Sequence, residues 1–249
     1  MEVTVKRDGL TLRGTLTTPQ TPQFDLVLLM HGFSGTRGTT PDNLLYQLAE
    51  RLDEAGLATL RFDFDGHGES DGRFEDMSVL GELLDGQAFI DYARQVPGVR
   101  RLYLLGHSQG GVVASMLAGY DHDLVDKLVL LAPAATLQDD ALKGDTRGHQ
   151  YDPQHIPDQI KLDNHLTLGG FYLRSAQTLP IYPVASQYHG PVCLIHGTAD
   201  TVVDQVASTR YHEAFTDSTL HLIDGADHLL RANGARLPVL QLVVDFLTR

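Results

Sequence analysis

The chain has a single cysteine, so no internal disulfide is available to it. That residue, Cys193, stands inside the apolar run Pro191-Val-Cys-Leu-Ile195 and reads as a small buried hydrophobe rather than a reactive thiol. Positive charge is also scarce: 19 Lys and Arg against 32 Asp and Glu leave a formal charge of −13. Nucleic acids and anionic membranes reward a basic face, so neither is an expected partner. No apolar run approaches the roughly 18 residues of a transmembrane helix. The N-terminus, Met-Glu-Val-Thr-Val-Lys-Arg-Asp, lacks the basic and apolar regions of a secretory signal, and the expected location is the cytoplasm. Metal-ligand spacings such as H-E-x-x-H, H-x-H and CxxC are missing, as is a lysine-bearing phosphate loop. Neither a metal nor a cofactor is expected. There is no internal repeat and no low-complexity tract.

What remains is a 249-residue chain with 42% hydrophobic residues, enough for one large core. Glu2 to Arg7 and Leu10 to Thr17 alternate as strands around the hairpin signal Asp8-Gly9. Phe24 to Met30, Leu57 to Phe64, Arg101 to Leu105, Lys127 to Leu131, Val192 to His196 and Thr219 to Ile223 are short apolar runs of parallel-sheet type. Helical spacing between them covers Asp42 to Ala55, Val79 to Val96, Asp204 to Phe215 and about Leu237 to Leu247. This alternation predicts an α/β fold, a mostly parallel central sheet with helices on both faces. It breaks down over 134–188, a stretch rich in Asp, Gly, His, Pro and Tyr and too long for a plain loop. We read it as an inserted cap on a core formed by 1–133 and 189–249.

The core is organised around Leu102-Tyr-Leu-Leu-Gly106-His107-Ser108-Gln109-Gly110-Gly111. An apolar run ends in Gly-x-Ser-x-Gly, and Val112 onward continues at helical spacing. A strand, a very tight turn and a helix then place Ser108 at the apex, with the glycines avoiding a clash between strand and helix. A serine hydroxyl needs a base and an orienting carboxylate to become a nucleophile, and in this topology both follow it in the chain. Asp200 lies in the loop after the run ending at His196, and His228 lies in the loop after the last strand. Asp204 and Asp227 are rival acids, Asp204 reading better as a helix N-cap and Asp227 as a loop anchor. Position rather than abundance selects His228, one of 12 histidines. The charge on a tetrahedral intermediate calls for two backbone N–H donors, each worth about 3 kcal/mol. The Gln109 amide, at a helix N-terminus, and the Phe33 amide, in His31-Gly-Phe-Ser-Gly, are the candidates. The loop Asp65-Gly-His-Gly-Glu-Ser reads as a brace for the active-site face.

With these residues placed, the chain is identified as a member of the serine α/β-hydrolases, and it resembles the cinnamoyl (feruloyl) esterases of intestinal lactic-acid bacteria. The resemblance covers nearly the whole chain. It rests on His31-Gly-Phe-Ser-Gly, Asp63-Phe-Asp-Gly-His-Gly-Glu-Ser70, Gly106-His-Ser-Gln-Gly-Gly111, Leu131-Ala-Pro-Ala-Ala-Thr136, Leu168-Gly-Gly-Phe-Tyr-Leu-Arg174, Ile195-His-Gly-Thr-Ala-Asp200 and Gly225-Ala-Asp-His228. It implies a catalytic triad of Ser108, Asp200 and His228 and oxyanion amides of Phe33 and Gln109. It also implies that the cap binds the phenolic ring of a hydroxycinnamoyl group through Asp140 and Tyr172. Arg147 stands where the family pattern leads one to expect a neutral amide. The expected partner is a small aromatic ester, and a homodimer is left open. A short-chain carboxylesterase or acylglycerol lipase, and an inactive fold serving as a binding module, are the competing readings. A lipase would need an apolar cap, and Asp139, Asp140 and Asp145 make this one charged. The cap aromatics Tyr151, Phe171, Tyr172, Tyr182 and Tyr188 are expected to supply the slot for the ring, with Asp140 and Tyr172 at its far end.

Overall fold

Asp8 and Gly9 hold positive φ angles of 50° and 86°, the type I′ geometry whose twist suits a two-residue hairpin. They join β1 (Glu2–Arg7) to β2 (Leu10–Thr17). In this computed structural model, which describes residues 1–249 apart from the side chain of Asn164, the chain continues through β3 (Phe24–Met30), α1 (Leu44–Glu54), β4 (Ala58–Phe62), α2 (Val79–Ala93), β5 (Val99–His107), α3 (Gln109–Tyr120) and β6 (Lys127–Leu131). Smaller elements follow: α4 (Leu137–Lys143), β7 (Asp145–Thr146), β8 (His149–Gln150), β9 (Gln159–Lys161), β10 (Thr167–Gly169), α5 (Gly170–Ala176) and α6 (Ile181–Ala185). The chain closes with β11 (Val192–Gly197), α7 (Val206–Ala214), β12 (Ser218–Ile223) and α8 (Arg236–Thr248).

One sheet of eight strands runs in the order β1-β2-β4-β3-β5-β6-β11-β12. β2 pairs antiparallel with β1 and β4, and all the other pairs are parallel. This is the α/β-hydrolase arrangement expected from the alternation of runs. Successive side chains of a strand face opposite ways, and both faces are buried here. Leu26, Leu28 and Met30 of β3 join the cluster that includes Phe89 of α2 and Val112 and Met116 of α3. Val27 and Leu29 join the opposite cluster, with Leu45, Leu48 and Leu52 of α1 and Val239 and Val243 of α8. Asn43 starts α1 by accepting the amides of Leu45 and Tyr46 on Oδ1, a cap worth about 1 kcal/mol. The free Cys193 is buried on β11, and burial pushes its thiol up to about 12. Among the described residues, no helix is long and apolar enough to cross a membrane.

Within 134–188, β7 and β8 form a small hairpin, and β9 pairs antiparallel with β10. Arg147 and Gly148 make the hairpin turn with φ of 53° and 85°. The last helix of the stretch, α6, rests on the core: a Cβ on Gly119 of α3 would lie 2.1 Å from the Val184 carbonyl oxygen.

The aromatics of this stretch correct the expectation of a ring slot built from five of them. Tyr188 is buried, and Tyr182 packs edge-on against Tyr211 of α7, 4.8 Å between ring centroids. Tyr151 donates to the Ala141 carbonyl oxygen at 3.2 Å, and Phe171 is exposed. Large rings gain most from a closed core, and three of the five are spent that way. Only Tyr172 faces the space above Ser108.

Candidate active site

The Ser108 turn requires its two glycines. A Cβ on Gly106 would sit 2.1 Å from the Gly110 carbonyl oxygen, and one on Gly110 would sit 2.4 Å from the carbonyl oxygens of both Met30 and His31. Ser108 itself has φ 56° and ψ −122°, a conformation that a residue with a side chain rarely adopts. Neighbouring backbone holds it there. The Ser108 amide donates to the Leu131 carbonyl at 2.9 Å, and the Ser108 carbonyl accepts from Gly111 at 2.9 Å and from Ala134 at 3.0 Å.

The structure brings Ser108, His228 and Asp200 together. His228 Nε2 lies 2.9 Å from Ser108 Oγ, and Nδ1 lies 2.7 Å from Asp200 Oδ2. A carboxylate only accepts, so the proton sits on Nδ1 and leaves Nε2 free to take one from the serine. Burial alone would raise the Asp200 carboxyl. Hydrogen bonds from the side chains of His196 and His228 and from the Val203 amide outweigh burial and hold it well below the usual carboxylate range. Asp200 Oδ1 accepts the amides of Val202 and Val203 at 2.8 and 2.9 Å, so its loop is pinned to the group it carries. The rival acids serve elsewhere. Asp204 accepts the Val206 amide at the start of α7, at 2.8 Å. Asp227 accepts the amides of Arg231 and Ala232, at 2.5 and 3.1 Å.

His107 fixes the other side of His228. Its Nε2 donates to the His228 carbonyl oxygen at 2.9 Å. Burial first, then the neighbouring imidazole, lowers it to about 4, so it remains a neutral donor. His31 is likewise a neutral structural group. Its Nε2 accepts the Phe64 amide at 3.2 Å, and burial, then His67, brings it down to about 3. Gly32 lets this loop reach Ser108, because a Cβ there would lie 2.8 Å from Ser108 Cβ. Among the described hydrogen bonds, the amides of Phe33 and Gln109 donate to no protein acceptor. The following loop is held by Asp63, which accepts the Arg37 amide at 2.6 Å and the Glu69 amide at 3.1 Å and pairs with the buried Arg37 guanidinium.

Two cavities meet at Ser108. The first, about 480 Å³, is lined by Phe33, Ser108 and Gln109 and by the residues between Ala134 and Leu173 that overhang them. Asp140, Tyr172 and Arg147 all face it, so the three expected cap residues are brought to one space. Burial raises the Asp140 carboxyl, a hydrogen bond from Thr136 opposing. Tyr172 differs from the expectation of a far-end partner. Its hydroxyl donates to Gln109 Oε1 at 2.6 Å, beside Ser108 and not at the remote wall. Arg147 projects from the hairpin turn, with its guanidinium 5.2 Å from the centroid of the Phe33 ring.

Glu82 escaped the sequence reading altogether. Its two carboxyl oxygens each lie 2.8 Å from Gln109 Nε2, completing a buried chain Tyr172–Gln109–Glu82 next to Ser108. Burial pushes Glu82 well above the carboxylate range, with Asp85 and Asp65 adding to it and the Gln109 bond opposing. His196 was also read only as the end of a strand. No pattern marks Glu82, whose partner Gln109 is 27 residues away, and His196 looks like any strand residue although its partners Asp200, Val203 and Ser208 follow within 12 residues.

The family model described as serine aminopeptidase, S33 (Hydrolase_4) matches residues 21–152, and the serine hydrolase (FSH1) model matches residues 100–230. Among solved structures, Est1E from Butyrivibrio proteoclasticus, determined with ferulic acid bound, superposes with a TM-score of 0.94. The two are 32% identical over 98% of this chain and 97% of that one. Lysophosphatidylserine lipase ABHD12 of Danio rerio is 28% identical over 79% of this chain, and protein YfhR of Salmonella typhi is 30% identical over 82%. The chain spans only 49% and 64% of the lengths of those two relatives.

Proposed function

The chain belongs to the serine hydrolases of the α/β-hydrolase fold, and from that premise we propose that it hydrolyses carboxylic esters of hydroxycinnamic acids. Ser108 attacks the ester carbonyl carbon while His228 Nε2 takes the hydroxyl proton. The oxyanion that forms is met by the amides of Phe33 and Gln109. His228 then gives its proton to the alcohol oxygen as the carbon–oxygen bond breaks, leaving an acyl-enzyme. Water, deprotonated by His228, attacks that acyl group, and the acid leaves as the Ser108 hydroxyl is restored. Asp200 keeps the imidazole in the working tautomer throughout. The stretch 134–188 acts as the cap over the acyl group.

The observation that carries the acyl preference is the wall of the first cavity. It combines the Phe33 and Tyr172 rings, which meet edge to face at 5.7 Å, with the half-buried Asp140 carboxyl. A ferulate or caffeate group is a flat apolar ring ending in a hydroxyl, which a carboxylate accepts in a charge-assisted bond. Likeness to a chain solved with ferulic acid bound supports the same reading. An acylglycerol lipase is the weaker alternative, since Asp140, Asp145, Arg147, His149 and Asp163 make this cavity polar. Ethyl ferulate against tributyrin is the test. Faster turnover of ethyl ferulate is expected, and a preference for tributyrin would overturn the hydroxycinnamate reading.

A further inference from the structure

The second cavity at Ser108, about 470 Å³, has its own chemistry. His228 lines this cavity and not the first, whereas Gln109 lines the first and not this one. Phe33, Ser108 and Arg147 line both. An ester seated on Ser108 with its oxyanion toward the Phe33 and Gln109 amides must therefore extend in two directions. The proton that frees the alcohol comes from His228 Nε2, so the alcohol oxygen has to lie within hydrogen-bond reach of that atom, about 3 Å. The side of the serine that His228 occupies is the leaving-group side, and the second cavity is where the alcohol goes.

Two guanidinium groups border that cavity, in a chain whose formal charge is −13. Arg147 reaches it from the β7–β8 turn, over the Phe33 ring. Arg231 reaches it from the loop after His228, where its side chain donates to the Asp42 carbonyl oxygen at 3.3 Å. Among the described residues, neither forms an ion pair with a carboxylate. The one acid on this wall, Asp227, is turned to its own loop and accepts the amides of Arg231 and Ala232. Arg231 acts on Asp227 and Asp42 only through space, and guanidinium groups not engaged in a direct ion pair at the mouth of a leaving-group site favour an anionic ligand.

Resting on the proposed serine-ester mechanism, we propose that the second cavity is an alcohol-binding site selective for leaving alcohols that carry a carboxylate. Arg147 and Arg231 are its specificity determinants. The test uses an isosteric pair of esters, feruloyl glycolate, with an anionic alcohol part, and feruloyl glycolamide, neutral and of the same size. O-Acetylglycolate and O-acetylglycolamide form a parallel pair with a minimal acyl group. The ratio of kcat/KM within each pair, compared between wild type, Arg147→Gln and Arg231→Gln, cancels the intrinsic reactivity of the esters. Each substitution is expected to lower the anionic-to-neutral ratio about tenfold, the effect of one charge-assisted hydrogen bond. The wild-type ratio should also fall as salt rises from low to about 1 M, because the site is open to solvent; this reading needs no variant. A ratio unchanged in both variants and insensitive to salt overturns the alcohol site. Cleavage of the acetyl pair alone, with the expected ratio changes, overturns the hydroxycinnamate reading and leaves the alcohol site standing. Failure to cleave any of the four esters overturns the ester mechanism and the site together.

Discussion

His196 Nε2 lies 3.2 Å from Asp200 Oδ2, the same oxygen that receives the His228 Nδ1 proton. His196 is fully buried, its Nε2 is also 3.0 Å from the Val203 carbonyl oxygen, and its Nδ1 is 2.7 Å from Ser208 Oγ. Both partners of Nε2 are acceptors, so Nε2 carries the proton and Ser208 donates to Nδ1. Asp200 thus shares its charge between two imidazoles. In His196→Ala the carboxylate loses one of the donors that hold it in line with His228. kcat should fall roughly tenfold with KM little changed. A variant that loses stability while keeping the wild-type kcat would reduce His196 to a packing residue.

Ser108→Ala removes the nucleophile and leaves the turn backbone and both oxyanion amides in place. Activity on any ester should fall by about 10³-fold or more, leaving the residual rate that binding and the oxyanion donors supply. The melting temperature should change little, since the strained turn backbone is the same in both proteins and only one hydroxyl is lost. Retained turnover in this variant would remove Ser108 from the mechanism.

The Ser108 turn and the alternation of strands and helices were legible in the sequence because they rest on local requirements. Gly106 and Gly110 are demanded by backbone approaches of 2.1 and 2.4 Å, and the apolar runs carry the parallel strands. Asp200 and His228 were legible through chain order and their place after a strand. Other parts depend on which face of a helix meets which distant loop, and periodicity does not show that. α2 is the clearest case: it exposes Leu80 and Leu84 and fully buries Glu82 and Asp85. The inversion is tolerable only because Gln109, Arg7 and the Asp65 amide, all remote in sequence, satisfy the two acids. The role of Tyr172 was misread for the same reason. Its partner Gln109 is 63 residues away, and nothing in Leu168 to Arg174 points to it.

Gln109→Ala separates the backbone of residue 109 from its side chain. The oxyanion amide survives, while the buried Glu82 carboxyl and the Tyr172 hydroxyl lose their shared partner. A buried polar group left unpaired costs about 1–3 kcal/mol. For a chain of this size that corresponds to a fall of roughly 2–4 °C in melting temperature per kcal/mol. Thermal unfolding should show the loss, and kcat should fall less than in Ser108→Ala. A stability equal to wild type would mean that the chain Tyr172–Gln109–Glu82 contributes nothing measurable.

Asp140→Ala tests the far wall of the acyl cavity. A site built to pair a phenolic hydroxyl disfavours the analogue lacking it, because its own polar group is then left unpaired. The substitution should lower kcat/KM for a caffeate ester about tenfold or more relative to the matching cinnamate ester, the effect of one hydrogen bond to a charged group. Equal losses on the two esters would place the phenolic end elsewhere.

Asp85 sets a pH dependence of stability whose sign can be worked out. Its side chain is fully buried on α2, where it takes the Arg7 guanidinium at 2.7 Å and the Asp65 amide at 2.7 Å. Burial first, then the nearby Asp65 carboxylate, raises it to about 6, with the bonds from the Asp65 amide and Arg7 opposing. In the unfolded chain an aspartate titrates near about 3.9. Between those values the folded chain binds more protons at this position than the unfolded chain does. The stability contributed by Asp85 is therefore fully present below about pH 4 and lost as pH rises through about 6. In Asp85→Asn that titration is gone. The stability difference, wild type minus variant, should decline between about pH 4 and 6 and level off above, measured as melting temperatures across that range. A difference that instead grows with pH would mean that the ion pair with Arg7 outweighs burial and that Asp85 stays charged in the folded protein.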